Sequence, residues 1–194
     1  MNTMKRNKLV VFLIVLFVAS SLCYAGNDYL NSIKITFLSW ATGSTKISYE
    51  RALPEYKQSA EICAGLISAG YDKFQNNPVG FTVRYGHKFF IGNYSENKPF
   101  DGFFVRPEII YTQFKYTAKE TKERTTSQIG SLLGTIGYQK SFDRFLVDTW
   151  VGAGLALGKP ADTGYQHGVK VIDSIKDNLS TIALSFSIRL GWLF

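Results

Sequence analysis

Residues 181–194 read TIALSFSIRLGWLF, and their regular spacing of apolar side chains is a clear sign of secondary structure. Apolar side chains occupy every second position, and small or polar side chains stand between them. The apolar set is Ile182, Leu184, Phe186, Ile188, Leu190, Trp192 and Phe194. A period of two residues is that of a β-strand, whose successive side chains point to opposite faces. The stretch therefore predicts one long strand with an apolar face and a second face that carries small residues and Arg189.

The same alternation recurs upstream, bounded by turn residues. It predicts eight strands, at 31–40, 44–53, 58–71, 79–92, 100–117, 127–142, 144–157 and 181–194. Convincing long helices are not predicted after the N-terminus. A short helix at the mouth of the fold is expected within 158–180, where Val169, Ile172, Ile175 and Leu179 have helical spacing.

The polar face of these strands carries charges of both signs. They are Lys34, Lys46, Glu50, Glu61, Arg84, Arg106, Glu108, Asp148 and Arg189. A soluble sandwich or barrel would turn this face to water, whereas an outer-membrane barrel encloses it and turns the apolar face to lipid. Three features favour the membrane barrel: strands of ten or more residues, balanced charges that can pair in a narrow lumen, and connections that alternate between short and long.

The N-terminus predicts export. Lys5, Arg6 and Lys8 precede an apolar run, and small residues surround Ala25, which is the layout of a cleaved signal peptide over residues 1–25. Residues 26–194 would then form one domain. Its formal charge falls from +7 to +4 because three basic residues leave, and this balance predicts no nucleic-acid partner. After cleavage Cys63 is the one cysteine left, so no internal disulfide is expected; it is predicted to be an inert side chain in the lumen.

Three stretches of sequence carry a resemblance to known proteins. The end of the chain, with Ile188, Leu190, Trp192 and Phe194, resembles the C-terminal signal by which the barrel-assembly machinery recognises its clients. With SYERAL (48–53) and GTIGYQKSF (134–142), the chain resembles an uncharacterised family of small bacterial outer-membrane proteins that are OmpA/OmpX-like in architecture. The resemblance implies an eight-stranded antiparallel up-and-down transmembrane β-barrel with both termini in the periplasm. It implies no activity.

Catalysis is not the favoured interpretation of the polar residues. His87 falls among the predicted lipid-facing positions, and His167 lies in the longest loop with Asp162, Asp173 and Ser174 nearby in sequence. Neither pattern supplies a recognisable nucleophile, base and orienting group. We therefore expect no catalytic, cofactor-binding or metal-binding residues and no cofactor. Arg51 is expected at the inner rim, near lipid phosphates.

The predicted function is that of an integral outer-membrane protein with a structural or surface-interaction role. An eight-stranded barrel has room for little more than its own side chains, so the nine charges are expected to form a salt-bridge network that fills the lumen. Expected partners are outer-membrane lipid and lipopolysaccharide, the barrel-assembly machinery, and a surface partner bound by loops 72–78, 118–126 and 158–180. Three alternatives remain open: an enzyme that modifies lipid A or phospholipid, a small passive pore, and a soluble periplasmic barrel that binds a hydrophobic ligand.

Overall fold

The computed structural model describes residues 29–68, 76–92, 94–118, 121–172 and 181–194. The strands are β1 (Asn31–Thr36), β2 (Ser44–Leu53), β3 (Gln58–Ile67), β4 (Asn76–Ile91), β5 (Gly102–Thr117), β6 (Arg124–Phe142), β7 (Phe145–Lys159), β8 (Lys170–Ile172) and β9 (Thr181–Leu193). One helical turn, α1 (Phe37–Trp40), follows β1, and a 3-10 turn (Pro54–Tyr56) follows β2. Among these residues no helix is long and apolar enough to cross a membrane.

The sheet closes on itself. Each of β1 to β6 pairs antiparallel with the next strand, β7 pairs with β9, and β9 returns to β1. The closing ladder runs from Ser32 opposite Leu193 to Thr36 opposite Arg189. Eight strands thus form an antiparallel up-and-down ring, as the alternation predicted, and the short β8 adds a ninth strand beside β9.

The ring has two different ends. The terminal end holds the start of β1, the end of β9 and the connections 54–57, 92–101 and 143–144. The loop end holds α1, the ends of β3, β5 and β7, and residues 160–172 of the connection after β7. Loops at the two ends thus alternate along the chain, and the tight turn at Asp143, with φ of 55°, joins the two strands β6 and β7.

Two sequence predictions about local structure are wrong. The first strand ends at Thr36 and not at residue 40, because the chain turns into α1, where Ser39 Oγ donates a hydrogen bond to Thr36 O at 2.7 Å. The expected helix after Val169 is β8, because Lys170–Ile172 pairs with the edge of β9 opposite Ile182–Leu184. The remainder of that helix and the signal peptide lie outside the described residues.

Polarity is distributed in the reverse of a soluble protein. Large apolar side chains are exposed on the outside of all eight ring strands, for example Ile35, Ile62, Phe81 and Phe186, the last at 72 % exposure. Meanwhile Lys34, Glu50 and Asp148 are fully buried in the interior. Burying a charge is costly unless it is paired, so this interior must be held by ion pairs.

Candidate functional site in the barrel interior

Two acidic side chains stand side by side at the heart of the barrel. Glu50 on β2 pairs directly with Glu61 on β3, and both point inward and are buried. Like charges placed directly opposite each other on neighbouring strands destabilise a sheet. This register is tolerable because cations from other strands lie between the two carboxylates.

Three strands supply those cations. Lys34 Nζ lies 2.8 Å from Glu61 Oε2 and 2.8 Å from Asp148 Oδ2, and it also contacts Glu50. Lys88 Nζ lies 3.1 Å from Glu50 Oε2 and 2.8 Å from Asp148 Oδ2. Arg189 Nη2 donates to Glu61 and to Asp148, at 2.7 Å in each case. The carboxylates and cations therefore alternate, and each of the three carboxylates contacts at least two cations.

A second layer of ion pairs extends the cluster toward the loop end. Arg106 Nη1 lies 3.3 Å from Glu61 Oε1, and its Nη2 lies 3.3 Å from Glu108 Oε2. Arg84 Nη1 lies 3.3 Å from the other oxygen of Glu108. The arginines link the layers because a guanidinium offers several donors in a fixed plane.

Aromatic rings fill the space between these charges. The guanidinium of Arg189 lies 4.2 Å from the Trp150 ring, and that of Arg106 lies 4.5 Å from it. Lys88 Nζ lies 4.5 Å from the Phe104 ring. Cation–π contacts of this kind are stronger when the cation is removed from water. They also occupy volume that would otherwise be open to solvent.

The structure places all nine charged residues of the sequence prediction inside the barrel. Eight of them contact an opposite charge; Lys46 instead donates to the backbone oxygen of His167. The prediction omitted Lys88, although it lies on the inward parity of β4 with Arg84. It also omitted Gln139 and Trp150, whose inward positions follow from the alternation of β6 and β7. Ile188, Leu190 and Trp192 lie on the outer face of β9, and Phe194 donates its backbone N–H to Asn31 O.

The three carboxylates Glu50, Glu61 and Asp148 bring oxygens within 4.8 Å of one another, as a metal site would. Lys34 Nζ, however, contacts all three of them. The protein's own ammonium group thus supplies the central positive charge. Within the described residues, this arrangement is an ion-pair cluster and not a cavity for a metal ion.

Part of the connection after β7 folds into the loop end of the barrel. We call residues 166–169 the mouth loop. Gln166, His167 and Val169 are fully buried, and Gln166 Oε1 accepts a hydrogen bond from Ser127 at 2.6 Å. The oxygen of Gly168 accepts from Arg84 Nη2 at 3.1 Å and from Ser185 Oγ at 2.8 Å.

Glycine is required at position 168. Its φ is +113°, in the region that favours glycine. A Cβ atom there would also lie 2.6 Å from Arg84 Nη2. The mouth loop therefore approaches the interior cations with its backbone alone, which lets its carbonyl groups accept their hydrogen bonds.

His167 is held as a neutral side chain of the mouth loop. Its Nδ1 lies 3.1 Å from Thr42 O, and its ring meets that of Phe114 edge-on at 4.7 Å. Burial, and then the charge of Lys46, lower the pKa of His167 from 6.5 to about 3. His87 lies at the outer face, 2.9 Å from Gln58 Oε1 and 3.4 Å from the Tyr85 hydroxyl. The described contacts of both histidines are those of structural side chains.

A cavity of about 520 Å³ remains at the loop end, between the ion cluster and the mouth loop. Its inner lining includes Lys46, Cys63, Arg84, Trp150 and Ser187. Ion pairs do not fill this part of the described lumen. The reason is that the inward residues of β7 and β9 toward the loop end, such as Gly152 and Ser185, are small.

Two further predicted positions can be placed. Cys63 is buried and free, and it faces the lumen. Arg51 is exposed near the terminal end of β2.

Comparison with models of protein families, with curated proteins and with solved structures finds no match to this chain.

Proposed function

We propose that this protein is an integral β-barrel of a bacterial outer membrane with a structural or surface-interaction role. The observation that carries the proposal is the inverted polarity of a closed barrel: apolar side chains cover the outside, and charges occupy the inside. On β9 the outward residues from Ile182 to Trp192 include no charged side chain. In water such a surface would promote aggregation, whereas in lipid it is the stable arrangement.

The dimensions agree with this proposal. With 13 residues, β9 extends about 44 Å at about 3.4 Å per residue, or about 34 Å across a membrane at a tilt of about 40°. The hydrocarbon core of a bilayer is about 30 Å thick. Every ring strand is paired with a neighbour on both sides over at least part of its length, so most backbone groups of the wall would not face lipid without a hydrogen bond.

The role we propose is non-enzymatic. The ion-pair cluster blocks the terminal half of the lumen, which argues against a passive pore. The positions of His87 and His167 give no support to the alternative of a lipid-modifying enzyme. Lipid, lipopolysaccharide and the barrel-assembly machinery stay as predicted partners, and connections 118–123 and 160–180 at the loop end are the surfaces we propose for an external one.

Fractionation of cells that express the full chain tests the membrane assignment. We expect the protein in the sarkosyl-insoluble outer-membrane fraction. On SDS gels it should migrate differently before and after boiling, because an intact barrel resists SDS until it is heated. A protein that stays in the periplasmic extract with no heat-dependent shift would contradict the proposal and favour the soluble barrel.

A further inference from the structure

The barrel wall is interrupted on one side. The β1–β9 ladder ends where Thr36 pairs with Arg189, and the β8–β9 ladder begins where Lys170 pairs with Leu184. Between them, residues 185–188 of β9 pair with β7 only, among the described residues. We call this interval the seam. It lies beside α1, which continues the chain where β1 stops.

The cavity at the loop end passes through the seam. Its lining includes inward residues such as Arg84 and Ser187, and it also includes outward residues of the wall, namely Leu38, Val151 and Phe186. A cavity confined to the lumen would not contact both faces of the same strand. Its volume of about 520 Å³ falls in the usual range of small-molecule pockets, about 300–1,000 Å³.

The inner part of this cavity has an excess of positive charge. The described interior holds six buried cations, Lys34, Lys46, Arg84, Lys88, Arg106 and Arg189, and four buried carboxylates, Glu50, Glu61, Glu108 and Asp148. The carboxylates are grouped in the ion cluster. Lys46 instead donates to a backbone oxygen, and it faces the cavity beside Arg84. An anion bound there would restore the balance of charge.

Two buried polar atoms also indicate an occupant. Ser187 is 6 % exposed and Trp150 is 5 % exposed, and both line the cavity. Ser187 Oγ and Trp150 Nε1 have no hydrogen-bond partner among the described residues. Buried polar atoms normally have one.

From these observations we propose that the cavity binds a single-chain amphiphile with a carboxylate head, such as a long-chain fatty acid, which enters from the lipid through the seam. The carboxylate lies near Lys46 and Arg84, and the alkyl chain leaves past Leu38 and Phe186. The route through lipid rests on the proposed membrane location. Recognition of the carboxylate rests on the cavity alone.

Tryptophan quenching tests this site in the full chain, folded in dodecyl maltoside micelles. The sequence has three tryptophans, and Trp40→Phe with Trp192→Phe leaves Trp150 as the single emitter. We expect dibromostearic acid to quench Trp150 saturably, and the dibromostearyl alcohol to show no saturation at the same concentrations. Lys46→Met should weaken binding of the acid by about tenfold, the usual effect of losing one charge-assisted hydrogen bond. Lys115→Met, on the exposed face of β5, is the matched control and should change nothing.

Chemical labelling gives a second measurement that needs no substitution. Cys63 lines the cavity, so stearic acid should slow its reaction with N-ethylmaleimide, whereas stearyl alcohol should not. A lysophospholipid should protect it weakly, because its bulky head does not fit beside Lys46. Equal protection by acid and alcohol would overturn the carboxylate site. Each variant is used only if its unboiled sample shows, on an SDS gel, the band of the folded barrel that shifts on boiling.

The two proposals fail in different ways. A heat-modifiable barrel whose Trp150 shows no saturable quenching overturns the binding site and leaves the membrane function standing. A protein that fractionates as soluble but binds the acid overturns the membrane function and the route through the seam.

Discussion

At the scale of single residues, Glu61 is the side chain whose negative charge the barrel most needs. Its two oxygens contact Lys34, Lys88, Arg106 and Arg189. Glu61→Gln would leave these cations facing one another with less negative charge between them. We expect a loss of about 3–5 kcal/mol in the free energy of unfolding, the usual cost of breaking a buried ion pair on one side. Unfolding by urea in micelles measures this free energy, with the folded fraction read from the heat-modifiable band on SDS gels.

The control for this substitution is Glu55→Gln. Glu55 is exposed in the 3-10 turn at the terminal end. The same chemical change there should alter stability by no more than about 0.5 kcal/mol. Equal effects of the two substitutions would show that the ion cluster does not hold the barrel together.

A second residue-scale prediction concerns pH. Because the pKa of His167 is about 3 in the folded loop and 6.5 when free, the detached loop binds a proton more tightly. Docking of the mouth loop is therefore at full strength above pH 6.5, and it weakens as pH falls toward 3, by about 1.4 kcal/mol per pH unit. Hydrogen exchange of residues 166–169 should accelerate between pH 7 and pH 5, after correction for intrinsic rates.

His167→Asn is the matched variant for this prediction. Asparagine tolerates the positive φ of 49° at this position and does not titrate. In this variant, hydrogen exchange of residues 166–169 should depend on pH no more than the intrinsic exchange rate does. If the unsubstituted loop showed equal protection at pH 5 and pH 7, the assigned burial of His167 would be wrong.

The sequence could specify most inward residues but not their partners. Alternation alone places Lys34, Glu50 and Arg189 on one face, because parity along a strand is a local property. It does not say that Lys34 lies between Glu50 and Asp148, which are supplied by strands that are distant along the chain. That contact depends on the register and closure of the whole ring.

At the scale of elements, the long strands follow from the sequence, whereas α1 and β8 do not. Both depend on what the neighbouring segments do. β8 forms because β9 offers a free edge opposite Lys170–Ile172, and this edge exists only because β1 ends at Thr36. Local helical spacing after Val169 carries no information about that edge, which is why the prediction was wrong at Lys170–Ile172.

The mouth loop gives a prediction about access. Replacing residues 162–169 with a glycine-serine linker of equal length should leave the ring intact, since none of them belongs to a ring strand. It should remove the groups that cover the cavity from the loop end. A charged, water-soluble maleimide should then label Cys63 at least about tenfold faster. This factor corresponds to a loss of about 1.4 kcal/mol in the free energy that keeps the cavity closed to solvent.

The same replacement at 94–98, in a connection of the terminal end, is the control. The ion-pair cluster lies between that end and Cys63, so the rate at which the maleimide labels Cys63 should not change. Faster labelling from both replacements would mean that the cluster does not seal the lumen.

At the scale of the whole molecule, the barrel has two barriers in series: the ion-pair cluster and the mouth loop. We therefore predict no steady unitary current in planar bilayers, either for the full chain or for the chain with the linker at 162–169. The second result follows because the cluster remains when the loop is gone. Stable channels in both proteins would contradict this prediction and favour the pore alternative.

The architecture as a whole was accessible from the sequence, whereas the cavity and the seam were not. A ring of eight antiparallel strands follows from eight alternating segments with short connections. The seam results from a mismatch in length between β1, with 6 residues, and β9, with 13. Phe37 extends the apolar set of Ile33 and Ile35 one residue past Thr36, so the pattern does not mark where the strand stops.

That mismatch in length has a consequence for the surrounding bilayer. Six residues of β1 cover about 20 Å of strand, while 16 residues of β4 on the far side cover about 54 Å. A membrane of uniform thickness cannot match both walls, and it responds to such hydrophobic mismatch by thinning locally or by tilting the protein. On the proposed location, the leaflet beside α1 would be the thinner one. Lipid chains there would be the most disordered around the barrel, beside the seam.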